Sequence, residues 1–550
     1  MEGAKFAGIC SDDGAGQVEI KESINGMEKV VFIQEVCRKM SSVRTDSQNF
    51  KPLNPNTLNP DTENSYMKVP CMENLYVEES YVENPNVDTP YVQYMYSYPH
   101  KTAYRTLKGV SLREYAPLLK GSGHGLYLHI PFCDTKCGYC NLFSVTGQGS
   151  GGVDQYLEAL ERQCGQYEKL LTPQNTEFSA LTMGGGTPLY LTREQLERVF
   201  GLLEAHFHFN REREFVIETA PEQTTGEKLA LLKQAGVTRI SMGIQSFSDK
   251  ELLTLRRRHS AQRAREALKL LKSFEFSCVN LDFIYGIPGQ TGESLLKSLQ
   301  EAVYYDPDEI FLYPLYIKHG VRLEGEGMSP DWNGALRQYQ LASRFLKEKG
   351  FRQDSMRRFV RNKGEREFSE CGFGTSLALG CGGRSYLGGL HFCSPYGVSQ
   401  KECLAHIKKY EGCRDYTEIT HGILLSLEEI KRRFVIRHLL IRPGLPVKEY
   451  RMHFGSDAME DFPVLKSWTE DGYVRKSRKE PEISCGDRQR SEGPDKNNGE
   501  SYLTLTEKGL AFSDYLGPQL ISPQIRGAMK EWEESHGRTY DAVPGEPEKL

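Results

Sequence analysis

The sequence is poor in apolar residues, at 38%. It has no run of about 18 uncharged apolar residues, which excludes a membrane-spanning helix. Tryptophan occurs only 3 times, and neither sign of charge dominates: 69 Lys plus Arg face 74 Asp plus Glu, for a net charge of −5. The whole-chain basic footprint of a nucleic-acid binder is therefore missing. Residues 1–30 carry no long apolar h-region, so secretion is not expected and a cytoplasmic location is. In that compartment the 14 cysteines are not read as a disulfide framework. Some of them are expected to do metal or redox chemistry.

At roughly 150 residues per domain, the chain's 550 residues suggest three or four units. Residues 1–90 repeat Leu-Asn-Pro and Tyr-Val among Asn, Pro and Glu. Such a segment offers too little apolar surface to offset its ordering entropy, and it reads as a disordered extension. Residues 91–120 form a denser lead-in. From 121 to 350 strand-like runs at 126–130, 180–183, 214–219, 239–244, 279–285 and 309–317 alternate with helical patterns. Thr192 with Gln195 reads as a capping box, and Thr291 as a second helix start. Six β-then-α units predict a parallel sheet curled into a partial (β/α)6, TIM-like barrel, with ligands at the carboxyl ends of the strands. A Gly-rich extension (351–424) follows. Residues 425–520 read as a small α-rich accessory domain with a solvated loop insertion at 475–499, and 521–550 as a polar tail.

Cys133, Cys137 and Cys140 stand as C-x3-C-x2-C directly after the first barrel strand. Three thiolates on one short loop can wrap a soft metal centre. Iron–sulfur clusters usually take four cysteines, so a three-cysteine loop leaves one iron open to a small molecule. A structural zinc site would want a second Cys or His pair at short spacing, and none follows. His129 lies close by, but strand alternation could equally bury it.

The stretch Tyr127-Leu-His129-Ile-Pro131-Phe132-Cys133, with Cys137, Tyr139 and Cys140, resembles the signature of radical S-adenosylmethionine (SAM) proteins. Within that superfamily it is similar to the oxygen-independent coproporphyrinogen III oxidase (coproporphyrinogen dehydrogenase) branch, over roughly residues 125–316. The resemblance implies a radical SAM barrel with a winged-helix-like C-terminal domain, a [4Fe-4S] cluster on Cys133, Cys137 and Cys140, and SAM as cofactor. It implies that Tyr127 and Tyr139 belong to the SAM site. It also implies SAM contacts at the strand ends: Gly185, Gly186 and Thr187 in Gly-Gly-Gly-Thr-Pro, then Glu218, Gln245, Arg257 and Asp282. Three glycines let a ligand meet backbone amides closely. An acid inside the otherwise apolar fifth strand, as Asp282 is, needs a partner. Arginine stands at 256 where the branch has glycine.

The implied chemistry is one-electron cleavage of SAM to a 5′-deoxyadenosyl radical, which abstracts hydrogen from a small-molecule substrate such as a tetrapyrrole. The electron would come from a donor such as flavodoxin or ferredoxin. Two departures keep other readings open. Asn141 follows Cys140 where the oxidases carry a further cysteine, and Glu370-Cys-Gly-Phe-Gly374 replaces an Asn and aromatic signature of the haem-chaperone-like members. A haem-binding and transfer protein is therefore one alternative. A radical SAM methyltransferase or natural-product tailoring enzyme is another. The C-terminal domain, with its mixed-sign loop, reads as a lid or scaffold rather than a nucleic-acid reader. Cys371, Cys381, Cys393, Cys403 and Cys413 contain no short C-x2-C pair and read as structural.

Overall fold

The computed structural model describes residues 18–24, 27–33, 90–95, 97–171, 175–361, 374–478 and 501–536. Within residues 84–550 the six expected parallel strands are present: β1 (Gly121–Ile130), β2 (Thr176–Gly185), β3 (Phe209–Thr219), β4 (Arg239–Gln245), β5 (Cys278–Tyr285) and β6 (Glu309–Pro314). Each pairs in parallel with the next. The helices between and after them are α1 (Ser150–Leu170), α2 (Arg193–His206), α3 (Gly226–Gln234), α4 (Ala261–Lys272), α5 (Gly292–Tyr304) and α6 (Trp332–Glu348). On α1 the buried residues Val153, Tyr156, Leu157, Leu160, Cys164 and Tyr167 recur at helical spacing and seat one face on the sheet. Thr192 and Gln195 close the expected capping box, and Thr291 closes another with Ser294.

The first three strands begin earlier than their apolar runs, because the strands extend through 121–125, 176–179 and 209–213, where glycine, polar and charged residues interrupt the apolar pattern. The sheet itself extends well past the barrel. Among the described residues it has 13 strands. The 351–424 segment supplies β7 (Phe351–Gln353), β8 (Arg358–Arg361), β9 (Ser376–Leu379), β10 (Arg384–Leu387), β11 (Leu390–Cys393) and β12 (Glu418–Leu424). Strand β8 lies antiparallel to β6, and β9 lies parallel to β1. The lead-in carries a strand too, Arg105–Ser111, which pairs with β12. These short strands hide in the sequence because four residues are too few to show alternation. The signal that was there is Gly388-Gly389 between Leu387 and Leu390, which face each other across a two-residue turn with Gly388 at φ 58°.

After β12 come helix Leu427–Leu439, strand Leu445–Pro446, helices Val447–Phe454 and Val464–Glu470, and strands Val474–Arg478 and Ser501–Leu505. This helix–strand–helix–helix–strand–strand order is that of a winged helix. Two boundaries need correction. Arg475–Arg478, expected in a solvated insertion, pair with Ser501–Thr504 in a ladder that tolerates alternating charged side chains. Residues 523–535, expected in a polar tail, form helix Pro523–Ser535, whose Ile525 and Met529 are buried. The N-terminal residues form a separate unit. There Val18–Ile24 and Met27–Ile33 pair as an antiparallel hairpin. Asn25-Gly26, a pair that favours two-residue hairpin turns, separates them in sequence. The remainder of 1–89, Cys371 and most of the 475–499 insertion lie outside the described residues. Among the described residues no helix is long and apolar enough to cross a membrane.

A buried ion pair joins the barrel edge to the C-terminal helices. The Arg357 guanidinium donates to Asp514, and the Tyr316 hydroxyl donates to the same carboxylate at 2.5 Å. Arg357 also lies over the Tyr94 ring, 3.7 Å from its centroid. Removing one member of a buried pair strands the other charge, at about 3–5 kcal/mol. Asp514→Ala is expected to lower the thermal midpoint by several degrees in circular dichroism. An unchanged midpoint would show that the barrel edge does not depend on this pair.

Candidate metal and cofactor site at the strand ends

The three cysteines lie on the loop that leaves β1. Two backbone bonds fix its start: Gly186 N–H donates to the Ile130 carbonyl and Thr187 N–H to the Phe132 carbonyl, both at 2.8 Å. Its middle is held at Gly138, whose N–H reaches the Leu255 carbonyl and whose carbonyl accepts from Leu323 N–H, each at 2.9 Å. Farther along, Lys136 donates to the Val398 carbonyl, and Gln400 Nε2 donates to the Thr146 carbonyl at 2.7 Å. The extension after β11 thus clamps the loop from outside.

The glycine run after β2 fills the space beneath. A Cβ on Gly186 would stand 2.6 Å from the Phe132 carbonyl oxygen and 2.9 Å from Cys133 Sγ. Gly185 has φ 119°, and a Cβ there would meet the His129 ring at 2.6 Å. A Cβ on Gly184 would collide with the Glu218 carboxylate at 2.9 Å. Only bare backbone lets these elements meet. Thr187 donates its hydroxyl to Cys133 Sγ at 3.7 Å, and Gly185 N–H donates to Glu218 Oε2 at 3.2 Å.

Across the sheet Asp282 accepts from Asn280 Nδ2 at 2.8 Å and from the Ser241 hydroxyl at 3.4 Å. Burial pushes its carboxyl up to about 6, and pushes Glu218 up to about 7, with Asp282 nearby adding to the effect. Gln245 ends β4 with φ 70°. A Cβ on Gly243 would stand 2.7 Å from Gln245 Nε2. Arg257 donates from Nη1 to Cys137 Sγ at 3.1 Å and from Nη2 to the Gly243 carbonyl. Tyr139 packs against the apolar group of Leu255, Ile284, Ile287, Leu315 and Leu323. Tyr127 donates its hydroxyl to His129 Nδ1 at 3.3 Å.

All twelve residues singled out in the sequence thus lie at the carboxyl ends of β1–β5 or on the segments that follow them. Arg256 itself adopts the left-handed backbone, at φ 57°, a conformation that costs an L-residue about 1–2 kcal/mol. Its ion pair with Glu326 at 2.8 Å and its packing over Gly138 hold the side chain in place. Arg258 pairs with Asp134 outside.

Several participants had no sequence motif. His129 is buried rather than a ligand. Its Nε2–H donates to the Phe143 carbonyl at 2.9 Å, and burial lowers its pKa to about 4, so the ring is neutral. Ser241 and Asn280 orient Asp282. Gly380 and Gly382 crowd His129 from the turn after β9, each at positive φ. The Gly-rich composition of 372–389 was the one available sign of this.

Among the described residues no three His, Cys, Asp or Glu side chains gather around a point that could hold a single ion. Burial pushes the Cys133 thiol up and the Cys140 thiol up to about 12. Thiols of this kind ionise when a metal takes them. Arg257 Nε is buried with no hydrogen-bond partner among the described residues, and the glycine cradle lies directly against Cys133. The donor set fits an iron–sulfur group with a small ligand beside it.

Comparison with known proteins agrees. Residues 127–302 match the family model described as the radical SAM superfamily. The chain is 35% identical over 263 residues to the heme chaperone HemW of Mycobacterium tuberculosis, covering 46% of this chain and 67% of that one. This chain belongs to the radical SAM superfamily, in the branch of HemW and oxygen-independent coproporphyrinogen III oxidase. This radical SAM protein is also 27% identical over 421 residues to the Escherichia coli oxygen-independent coproporphyrinogen III oxidase, covering 70% of this chain and 88% of the relative. The solved structure of the E. coli coproporphyrinogen III oxidase HemN superposes with a TM-score of 0.63 at 23% identity, over 77% of this chain and 96% of that one. That likeness is one of fold. Proteins of the superfamily use a [4Fe-4S] cluster and SAM.

Glu218 gives a pH test in the cofactor-free protein. A carboxyl whose folded pKa is raised binds more protons folded than unfolded, so its stability contribution is present at low pH and is lost as pH rises from about 4.5 through 7. Glu218→Gln removes that loss. The variant's thermal midpoint is expected to match wild type near pH 4, to exceed it increasingly from about pH 5 to 7, and to hold that advantage above pH 7. Parallel midpoint curves would refute the raised pKa.

Proposed function

We propose that this radical SAM protein holds a [4Fe-4S] cluster on Cys133, Cys137 and Cys140, and binds SAM against Gly185, Gly186, Thr187, Glu218, Gln245, Arg257 and Asp282, with Tyr127 and Tyr139 at the same strand ends. The observation that carries the reading is the contact of the Gly184–Gly186 backbone with Cys133 on one side and Glu218 on the other. When bound, the cluster and SAM supply a 5′-deoxyadenosyl radical for hydrogen abstraction. The chain's own residues bind and orient. Glu218 and Asp282 are buried carboxylates suited to a ligand carrying an ammonium and a sulfonium. Arg257 can meet a carboxylate, and the side-chain-free backbone at the end of β2 lets a ligand approach closely. Exclusion of water falls to His129, Phe143 and the clamping extension.

The substrate that fits the branch is porphyrin-related, and the reaction is an oxidation of the coproporphyrinogen dehydrogenase type with an electron donor of the flavodoxin or ferredoxin class. The match to the oxidase over 70% of this chain favours this reading, since it reaches beyond the barrel. Haem binding and transfer is the second reading, favoured by the 35% identity to HemW and by Asn141 after Cys140.

In anaerobically reconstituted protein, replacing Cys133, Cys137 or Cys140 with Ala is expected to abolish the visible cluster absorption. Gln245→Ala and Asp282→Asn should keep that absorption and lower 5′-deoxyadenosine formation at least tenfold. Full absorption in all three cysteine variants would overturn the cluster assignment. A haem Soret band on titration, with no 5′-deoxyadenosine from the reduced wild type, would select the carrier reading.

A further inference from the structure

Arg257 is turned toward the cysteine loop. It follows the left-handed Arg256 at the end of helix Asp249–Thr254, where its own N–H donates to the Leu252 carbonyl at 2.9 Å. The side chain then runs inward to the Gly243 carbonyl and to Cys137 Sγ, 3.1 Å from Nη1. A Cβ on Gly243 would stand 3.2 Å from Arg257 Nη2, so a side chain at 243 would press on the guanidinium. Tyr139, Cys140 and Asp282 surround it.

A guanidinium stays charged at any working pH, and its planar fork holds two hydrogen bonds in fixed directions. A donor aimed at a thiolate ligand stabilises the added negative charge of a reduced cluster. Hydrogen bonds to cluster sulfurs are among the determinants of reduction potential. We propose that Arg257 is a positioning residue for electron entry: through its hydrogen bond to Cys137 it raises the potential of the cluster before SAM is bound. The step is the one-electron reduction of [4Fe-4S]2+ to [4Fe-4S]+, the electron coming from a reduced flavodoxin- or ferredoxin-type donor. The inference rests on the cysteine loop holding the cluster. It differs from a SAM contact, which would leave the SAM-free potential untouched.

The test is a redox titration of the full-length, reconstituted protein without SAM, followed by electron paramagnetic resonance, with dithionite as reductant. Arg257→Met is expected to shift the reduction equilibrium at least tenfold toward the oxidised cluster, 59 mV for one electron, at unchanged iron content. Arg257→Lys should recover part of the shift, because it restores charge without the fork. A reduction equilibrium in Arg257→Met shifted less than tenfold from wild type, at full iron, overturns the proposal. If Arg257→Met loses iron, Arg257→Gln carries the test. Loss of iron from both, with circular dichroism unchanged, also overturns it, because Arg257 would then be a clamp on the loop. Failure of the underlying reading looks different: the wild type itself would then show no cluster absorption.

Discussion

Two backbone hydrogen bonds, from Gly186 to Ile130 and from Thr187 to Phe132, carry the β1–β2 pairing beyond the last residue of the sheet. They bring a loop that would otherwise swing free against the one segment without side chains. Cys133, Glu218 and His129 are then all placed with respect to the same three glycines. The rest of the site is secured to this point: Gly138 by Leu255 and Leu323, the outer rim by Lys136 and Gln400, and Arg257 by Gly243. A parallel sheet provides such an opportunity because its backbone groups at the carboxyl edge have no further strand to bond.

The barrel was legible because its strands and helices alternate with strong apolar periods and because caps such as Thr192 with Gln195 mark the helix starts. The site was legible because its thiols sit on one loop and its polar residues fall at strand ends. His129 was less so. A histidine four residues before a cysteine ligand reads equally as ligand or core, and only the Phe143 carbonyl and the glycines of the turn after β9 decide it. Of the partners of Asp282, Asn280 stands two residues away on the same strand, whereas Ser241 was illegible because it lies across a ladder whose register is not written locally.

The flanking strands were missed for a related reason. Strand Arg105–Ser111 pairs with Glu418–Leu424, some three hundred residues on, and neither has a period long enough to declare itself. The 523–535 helix reads as polar because only Ile525 and Met529 are buried. Its place is set by contacts with residues near 101–105, as in the donation of Arg105 to the Ala528 carbonyl. Arg256 is the opposite case: its departure from the family glycine was visible, and its backbone is left-handed, a conformation that favours glycine.

The pairing of residues near 100 with residues near 420 and 530 bears on the order of synthesis. The six barrel strands and every residue of the candidate site between 127 and 282 emerge from the ribosome well before their lid and edge partners. A chain halted near residue 350 would hold all three thiols and the glycine run. It would lack the carbonyl that takes Lys136, the glycines that crowd His129 and the carboxylate that takes Tyr316. The site's inner wall is thus a product of the first half of the chain and its outer wall of the second, so a truncated protein would be exposed to oxygen and solvent at the positions where it most needs cover.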